Sequence, residues 1–393
     1  MAVGSPVDVL TDLMFTTPPK FATNEETYVN EVSLRNFITK RMRAGRDLSD
    51  MIDGGESIRD DIFFDGTSSR QHYNPNEALN YKLVNILTQH QAPWTFTAAS
   101  VAWTDHEIGL NFGRLRQSAQ KKIFKKLYKS KMMKLWTDIS NGEEADAWAQ
   151  PSALMETSGG KKPQSIPHFI NEFANGLAPG VSTIQQLSPV TYPKWVPTQQ
   201  SYTGLGASDP DVVTQTRNLF TALTRTWRSM NWEQMPHGKE FSDPDTKPTF
   251  IAASLNGVTM YENGLRVANE LLLGNRQDPA YPDPMFRGMP VSYCESLDDA
   301  LLHSASSGTA FGSEATATIA GPRFYVMNVR YGKRLWHEDR YFLKKQPFSP
   351  TRQPFTKIMV VDSWGNYFVN SRRKFGAIVY PTGAAVATAA YSG

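Results

Sequence analysis

The side chains that could do chemistry in this sequence are scattered rather than gathered. Seven histidines, His72, His90, His106, His168, His237, His303 and His337, are spread along the chain, and no two stand three or four residues apart. A zinc site assembled from sequence-local ligands is therefore unsupported. Cys294 is the single cysteine, which excludes an internal disulfide framework or a multi-cysteine metal cage and suits a reducing compartment. It reads as a small buried apolar residue. GLGASD at 204–209 starts like a dinucleotide-binding glycine loop but lacks the third glycine and a preceding strand. Neither a GxxxxGK[ST] phosphate loop nor a GxSxG nucleophile turn occurs. His337, Glu338, Asp339 and Arg340 concentrate charge, but a strand would send neighbours to opposite faces, so surface ion pairing is the better reading. No catalytic, cofactor-binding or metal site is predicted; an enzyme or soluble binding module would have to assemble its site from distant residues.

Any such assembly would depend on the elements that hold these residues. The chain has 393 residues, 40% of them hydrophobic, with 9 Trp, 15 Tyr and 21 Phe, so it can build more than one core. Its 25 Pro and 27 Gly imply many turns. No apolar run approaches the length of a membrane span, and MAVGSPVDVLTDLMF lacks the charged start of a secretory signal, so an intracellular origin without a membrane partner is expected. With 41 basic against 38 acidic residues the net charge is only +3, which excludes a generic polyanion binder and leaves local charge to carry any such role.

Residues 1–23 read as an extended arm, followed by a helix from Asn24 to Arg43. From Ser57 to Ile108 short polar and aromatic runs alternate; Trp94, Phe96 and Ala98 are spaced by threonines, which suits a two-sided hairpin leaning on something else. Residues 113–140 give the strongest helical signal: Leu115, Ala119, Ile123 and Leu127 form one stripe, and Phe124, Tyr128, Met132, Leu135 and Ile139 a neighbouring one. Between 111 and 137 stand nine Lys or Arg and no Asp or Glu. Ordinary solvated faces mix both signs, so a polyanion or acids on another segment should fill that field.

Residues 150–207 are loop-like and mark a domain crossing. A helix capped by Asp209 or Asp211 runs to Met230, and a strand, loop and helix follow from Phe250 to Leu272. PMFRGMPVSYCE, 284–295, reads as a strand interrupted by Gly288 and Pro290. FYVMNV, RLWHEDRYFLK and FTKIMVVDSWGNYFV predict antiparallel strands near the C-terminus.

Taken in order, these parts resemble the major capsid protein of tailed bacteriophages, the Hong Kong 97-type or Johnson fold. The resemblance covers nearly the whole chain. YPKW, 192–195, is similar to the tryptophan-bearing crossing after the spine region, and FIAASLNGVTMYENGL to a strand and helix of the A-domain. PMFRGMPVSY is similar to the F-x-G-x-P-V strand of these proteins, FYVMNVRYGKRL to a strand with asparagine and then leucine, and WGNYFVNSRRKFGAIV to the closing element with its N-x-R-R pattern.

The resemblance implies an α+β fold: an N-terminal arm at 1–56, an extended E-loop hairpin at 57–108, a P-domain with a long spine helix at 109–165, an A-domain at 166–322, and C-terminal strands returning to the antiparallel P-domain sheet at 323–393. It implies a shell protein that assembles as hexamers and pentamers around double-stranded DNA in a virion capsid built in the bacterial cytoplasm. An encapsulin-like nanocompartment shell is the alternative. Trp94, Phe96 and Trp103 would be intersubunit E-loop anchors. Lys121, Lys122, Lys125, Lys126 and Lys129 on the spine helix would face DNA, or else pair with acids such as Asp60, Asp61 and Asp65. Phe286 and Val291 would pack the A-domain core while Gly288 and Pro290 bend the strand. The hairpin's start near residue 57 leaves no room for a built-in scaffolding segment, so a separate scaffolding protein and no extensive N-terminal processing are expected. Portal, packaged DNA and a decoration or cement protein complete the implied partners. No cofactor and no Lys–Asn crosslink are expected.

Overall fold

The computed structural model describes residues 51–63, 72–75, 87–107, 117–157, 161–203, 212–230, 247–272, 284–298 and 322–382, all within the unit Arg35–Gly393. The expected arm and its helix, and the Asp209 or Asp211 cap, lie outside them. The strands are β1 (Met51–Ile52), β2 (Ser57–Phe63), β3 (Leu87–Pro93), β4 (Thr95–Thr104), β5 (Thr198–Thr203), β6 (Phe250–Ala253), β7 (Met285–Phe286), β8 (Met289–Tyr293), β9 (Phe324–Met327), β10 (Gly332–His337), β11 (Leu343–Lys344), β12 (Thr356–Val369) and β13 (Gly376–Thr382). The helices are α1 (Gln117–Ala147), α2 (Ile166–Phe169), α3 (Val212–Met230), α4 (Leu255–Leu272) and α5 (Arg372–Phe375).

Phe250-Ile251-Ala252-Ala253 is apolar at every position and buried at every position, as a strand covered on both faces must be. It sits inside a six-stranded mixed sheet of order β5-β13-β9-β6-β8-β7. Alternation along these strands sorts side chains into two cores. Phe250, Ala252, Tyr325, Met327 and Ile378 join Trp148, Phe169 and Phe375 on one face. Ile251, Ala253, Phe324, Val326 and Val379 meet Leu219 and Leu223 of α3 and Tyr261 of α4 on the other.

The second sheet follows the order β1-β10-β12-β11, with β4 pairing along β12 from Thr104↔Thr356 to Thr95↔Gly365. Residues 95–104 thus belong to this sheet, whereas β2 and β3 form a two-stranded ribbon of their own. The hairpin expected over 57–108 splits in two, because β4's alternating apolar face finds its cover on α1. Trp103, Ala99 and Val101 pack there with Leu135 and Ile139. The C-terminal strands also divide: β10, β11 and β12 lie in this sheet, β9 and β13 in the six-stranded one. Chain order could not show this, since strand pairing is non-local.

Helix α1 covers 31 residues, roughly 46 Å at ~1.5 Å per residue. It continues past residue 140, where the helical signal in the sequence ended, and through Gly142. Glycine inside a helix costs about 1 kcal/mol. Burial at the helix's C-terminal end offsets it: Ala147 and Trp148 are fully buried, the Trp148 Nε1–H donates to Glu144 Oε1 at 3.1 Å, and Glu143 lies 3.7 Å from Arg334.

PMFRGMPVSYCE is a hairpin rather than one bent strand. Phe286 pairs with Met289 and Met285 with Pro290, around Arg287 and Gly288 at φ 51° and 84°. Two successive positive φ values are what a two-residue hairpin turn requires. Pro290 stands just before β8 begins its parallel ladder with β6 at Val291↔Ile251, so its missing N–H is not needed there. Phe286 and Val291 pack in the α3/α4 core. Gly332 answers a different need: a Cβ there would strike the Phe375 ring.

Candidate functional site

The polar side chains that the fold gathers are buried and spent on the backbone. At the crossing between the sheets Glu156 accepts from Gln164 Nε2 at 2.7 Å and faces His168 Nε2 at 2.7 Å. Asn366 Oδ1 accepts from the Gln164 and Tyr367 N–H groups, each at 2.8 Å, while its Nδ2 donates to the Pro93 carbonyl at 2.7 Å. Arg372, from the N-x-R-R stretch, is fully buried. Its guanidinium donates to the Phe169 carbonyl at 3.0 and 2.7 Å and to the Gly176 carbonyl at 2.7 Å, and burial pulls its pKa down to about 9. Cys294 is buried too, and desolvation pushes its thiol well above the ordinary value, so it is a poor nucleophile. These groups lock the chain's crossing between sheets. Among the described residues no set of His, Cys, Asp and Glu could hold a metal, and no helix is long and apolar enough to cross a membrane.

What remains is surface, and it concentrates around the five-stranded sheet. The ribbon of β2 and β3 is pinned at its base: Ile58, Ala92, Trp94 and Phe368 form one cluster. His90 stacks on Phe368 at 4.7 Å and meets Trp195 edge-on at 5.7 Å. Its ring is 1% exposed, and burial lowers its pKa against the pull of Asp60. The Gln91 N–H donates to the Gln185 carbonyl at 3.1 Å.

The three aromatics picked out as intersubunit anchors separate on this framework. Trp94 is 7% exposed and its Nε1–H donates to the Gly55 carbonyl at 2.9 Å. Trp103 is 6% exposed within the α1 core. Both are filled by their own chain and have little surface left for another. Phe96 is 58% exposed and rests edge-on against Trp364 at 4.8 Å. The period of two along β4 separates Phe96 from Trp103, since Phe96 faces away from α1, whereas Trp94 stands just before β4 and is covered by Ile58, Ala92 and Phe368.

On α1 the side chains of Lys121, Lys122, Lys125 and Lys126 lie outside the described residues, while Lys129 and Lys134 are exposed. Lys131 is occupied: its Nζ donates to Glu107 Oε2 at 2.7 Å and to the Ala102 carbonyl at 3.0 Å. Asp60 and Asp61 are exposed on β2 and have no ion-pair partner among the described residues. In the HEDR cluster, Arg340 lies 3.5 Å from Asp362 and 4.9 Å over Trp364, so this is a surface charge group. The sequence reading passed over Arg372 as a lock and over the Gln185-Gln186 turn, with φ 52° and 61°. The doubled arginine was a signal for the first; the second carries no turn-forming residue at all.

No protein-family model matches this chain, and no curated protein matches it. Among solved structures it is similar to the chain in the capsid asymmetric unit of Cyanophage A-1(L), with 12% identity, 93% of this chain and 98% of that chain covered, and a TM-score of 0.54. Lesser likenesses include the capsid of a native GTA particle, with 10% identity, 97% and 100% coverage and a TM-score of 0.45, and the capsid of Myoviridae Phage XM1, with 10% identity, 91% and 96% coverage and a TM-score of 0.44. The first of these extends over both sheets and their helices, and on it the chain has the fold of the tailed-phage major capsid proteins that its sequence resembles.

Proposed function

We propose that this chain is the major capsid protein of a tailed bacteriophage, assembling as hexamers and pentamers into an icosahedral shell around double-stranded DNA. The observation that carries the reading is the likeness to the cyanophage capsid chain at a TM-score of 0.54 over nearly the full length of both chains. In this reading the ribbon β2–β3 is the root of the E-loop, expected over 57–108 and here ending before β4. The helix α1 and the five-stranded sheet make the P-domain. The six-stranded sheet with α3 and α4 makes the A-domain, and 1–56 is the arm. Phe96 supplies contact area to a neighbouring subunit. The basic half of α1, with Lys121, Lys122, Lys125, Lys126 and the exposed Lys129, faces DNA, where phosphate contacts are sequence-independent and weaken with salt. A separate scaffolding protein, a portal and a decoration or cement protein act on the same shell, which forms in the bacterial cytoplasm.

Co-expression with the scaffolding protein from the same genome, followed by size-exclusion chromatography and electron microscopy, tests this. Closed shells of megadalton mass are expected; a stable monomer under those conditions would overturn the reading.

A further inference from the structure

The fold lays two acid-free stretches of the sequence side by side. Between residues 111 and 137 there is no Asp or Glu, and from Tyr341 to Val361 there is none either. The first covers α1 as far as Thr137; the second holds β11, the loop after it and the start of β12. Ladder pairing fixes which side of the five-stranded sheet the cations of the second stretch take. Lys344 stands opposite Val361 and Lys357 opposite Trp103, and Val361 and Trp103 both lie in the core beneath α1. Directly paired side chains share a face, so Lys344 and Lys357 rise on the α1 side.

Contacts with the helix agree with that placement. Lys344 Nζ lies 5.3 Å over the Trp136 ring of α1, and Lys129 shares the flank of Trp136 through i, i+7 spacing. Trp103, opposite Lys357, meets Tyr128 of α1 edge-on at 6.1 Å. Lys129, Lys344 and Lys357 are exposed, and none of them meets a carboxylate among the described residues. Glu107, just beyond β4, and Asp362, beside Val361, are engaged by Lys131 at 2.7 Å and by Arg340 at 3.5 Å. Asp105 is exposed where its N–H donates to the Phe355 carbonyl at 2.9 Å. The other two cations of the second stretch go elsewhere. The Lys345 N–H donates to the Val360 carbonyl at 2.8 Å, which continues the ladder and turns Lys345 to the opposite face. Arg352 is exposed in a turn where the Gln353 N–H donates to the Pro350 carbonyl at 3.0 Å.

We propose that Lys344 and Lys357 of the sheet, together with Lys129 of α1, hold phosphates of double-stranded DNA along the flank of α1. This contact rests on the DNA-enclosing reading above and adds to the helix a second element, the β11–β12 side of the sheet. Duplex DNA carries one negative charge per ~1.7 Å of its axis, so cations with no acid interleaved gain at each step. From Tyr128 to Trp136 the helix rises about 12 Å, enough to meet several phosphates. An acidic protein segment is the other occupant that such a surface suits. Phe348, 49% exposed, pairs with Ile358 and so lies on the face opposite Lys357. The lysine side therefore offers its charge without that aromatic, and protein interfaces are built around an apolar centre whereas phosphate contacts are not.

The test is binding of a short fluorescent DNA duplex to the full-length chain, purified without its scaffolding protein, by anisotropy over a salt series, with circular dichroism to confirm folding. Lys344→Gln with Lys357→Gln should reduce the slope of log affinity against log salt by about 1.8, since each phosphate contact contributes ~0.9, and should weaken binding at low salt by about tenfold or more. Lys129→Gln should take away about 0.9 further. Lys345→Gln with Arg352→Gln removes the same charge from the other face and the loop turn, and should leave the slope within about 0.3 of the unmodified value. Equal losses from the two pairs would reveal a diffuse charge field and overturn the proposal, as would an unmodified chain that binds no duplex. Poly-glutamate that displaces the duplex at equal charge concentration would assign the surface to an acidic protein and overturn it too. Closed shells formed with the scaffolding protein by a chain whose slope ignores Lys344 and Lys357 would sink this contact alone. An unmodified chain that forms no shell would count against the shell reading itself.

Discussion

The two sheets of this chain are finished differently. The six-stranded sheet is closed on both faces by its own chain, with Trp148, Phe169 and Phe375 on one side and α3 and α4 on the other. The five-stranded sheet is closed on one face by α1 and only in part on the other, where the ribbon cluster ends at Trp94 and Phe96 remains 58% exposed. The first region spends its apolar surface on itself. The second keeps surface to give, and the exposed acids of β2 and the cations of 343–357 lie around it. The shell role proposed above would need both: a body that holds its shape and margins that are completed only by neighbours.

The contrast can be broken by substitution, and the largest effect is expected in the closed region. Trp148→Ala should lower the unfolding free energy by about 4 kcal/mol, because a fully buried indole leaves a cavity; a denaturant titration giving under ~1 kcal/mol would show that this core is looser than drawn. Arg372→Met removes the donors to the Phe169 and Gly176 carbonyls and should cost about 3 kcal/mol, read in the same titration.

His90 gives a milder, pH-dependent effect at the junction of ribbon and body. Burial lowers its pKa in the folded chain. Below the unfolded value of about 6.5 the unfolded chain therefore binds a proton that the folded chain resists, and stability falls as pH drops, by at most ~1.4 kcal/mol per unit. Melting curves across that range should show the slope, and His90→Phe should flatten it; an unchanged slope would remove His90 as its source. Gly288→Ala forces an L side chain to φ 84° and should cost about 1 kcal/mol in a thermal melt. The smallest change in stability is expected at Phe96→Ala, within ~0.5 kcal/mol, yet it should slow assembly measurably by light scattering. If Phe96→Ala instead destabilised the monomer as strongly as Trp148→Ala, the distinction between a closed and an open region would fail.

Much of this fold is readable from local pattern. The stripe through Met132, Leu135 and Ile139 marks the face α1 buries, and the unbroken run FIAA marks a strand covered twice. The glycine and proline of PMFRGMPVSYCE mark a break in a strand, though not its form: positive φ at Arg287 as well as Gly288 makes it a hairpin, and nothing about an arginine announces that. Its guanidinium lies 4.8 Å over Trp227 of α3, a contact made with a residue far away in the chain. The Gln185-Gln186 turn is hidden for the same reason, since Glu156 and Gln91 hold it from 30 and 95 residues away.

The sequence by itself determined the kinds of element, the acid-free stretch of α1 and the scatter of its seven histidines and single cysteine, because period, capping and charge are local properties of the chain. Only the tertiary structure decided which strands share a sheet, that α1 runs on to Ala147, that Trp94 and Trp103 are filled by their own chain while Phe96 is left open, and that Arg372 is a lock. Each of those depends on partners tens to hundreds of residues away, as with the Arg372 bond to the Phe169 carbonyl across 203 positions, and burial is settled by the sum of such contacts rather than by the side chain that undergoes it.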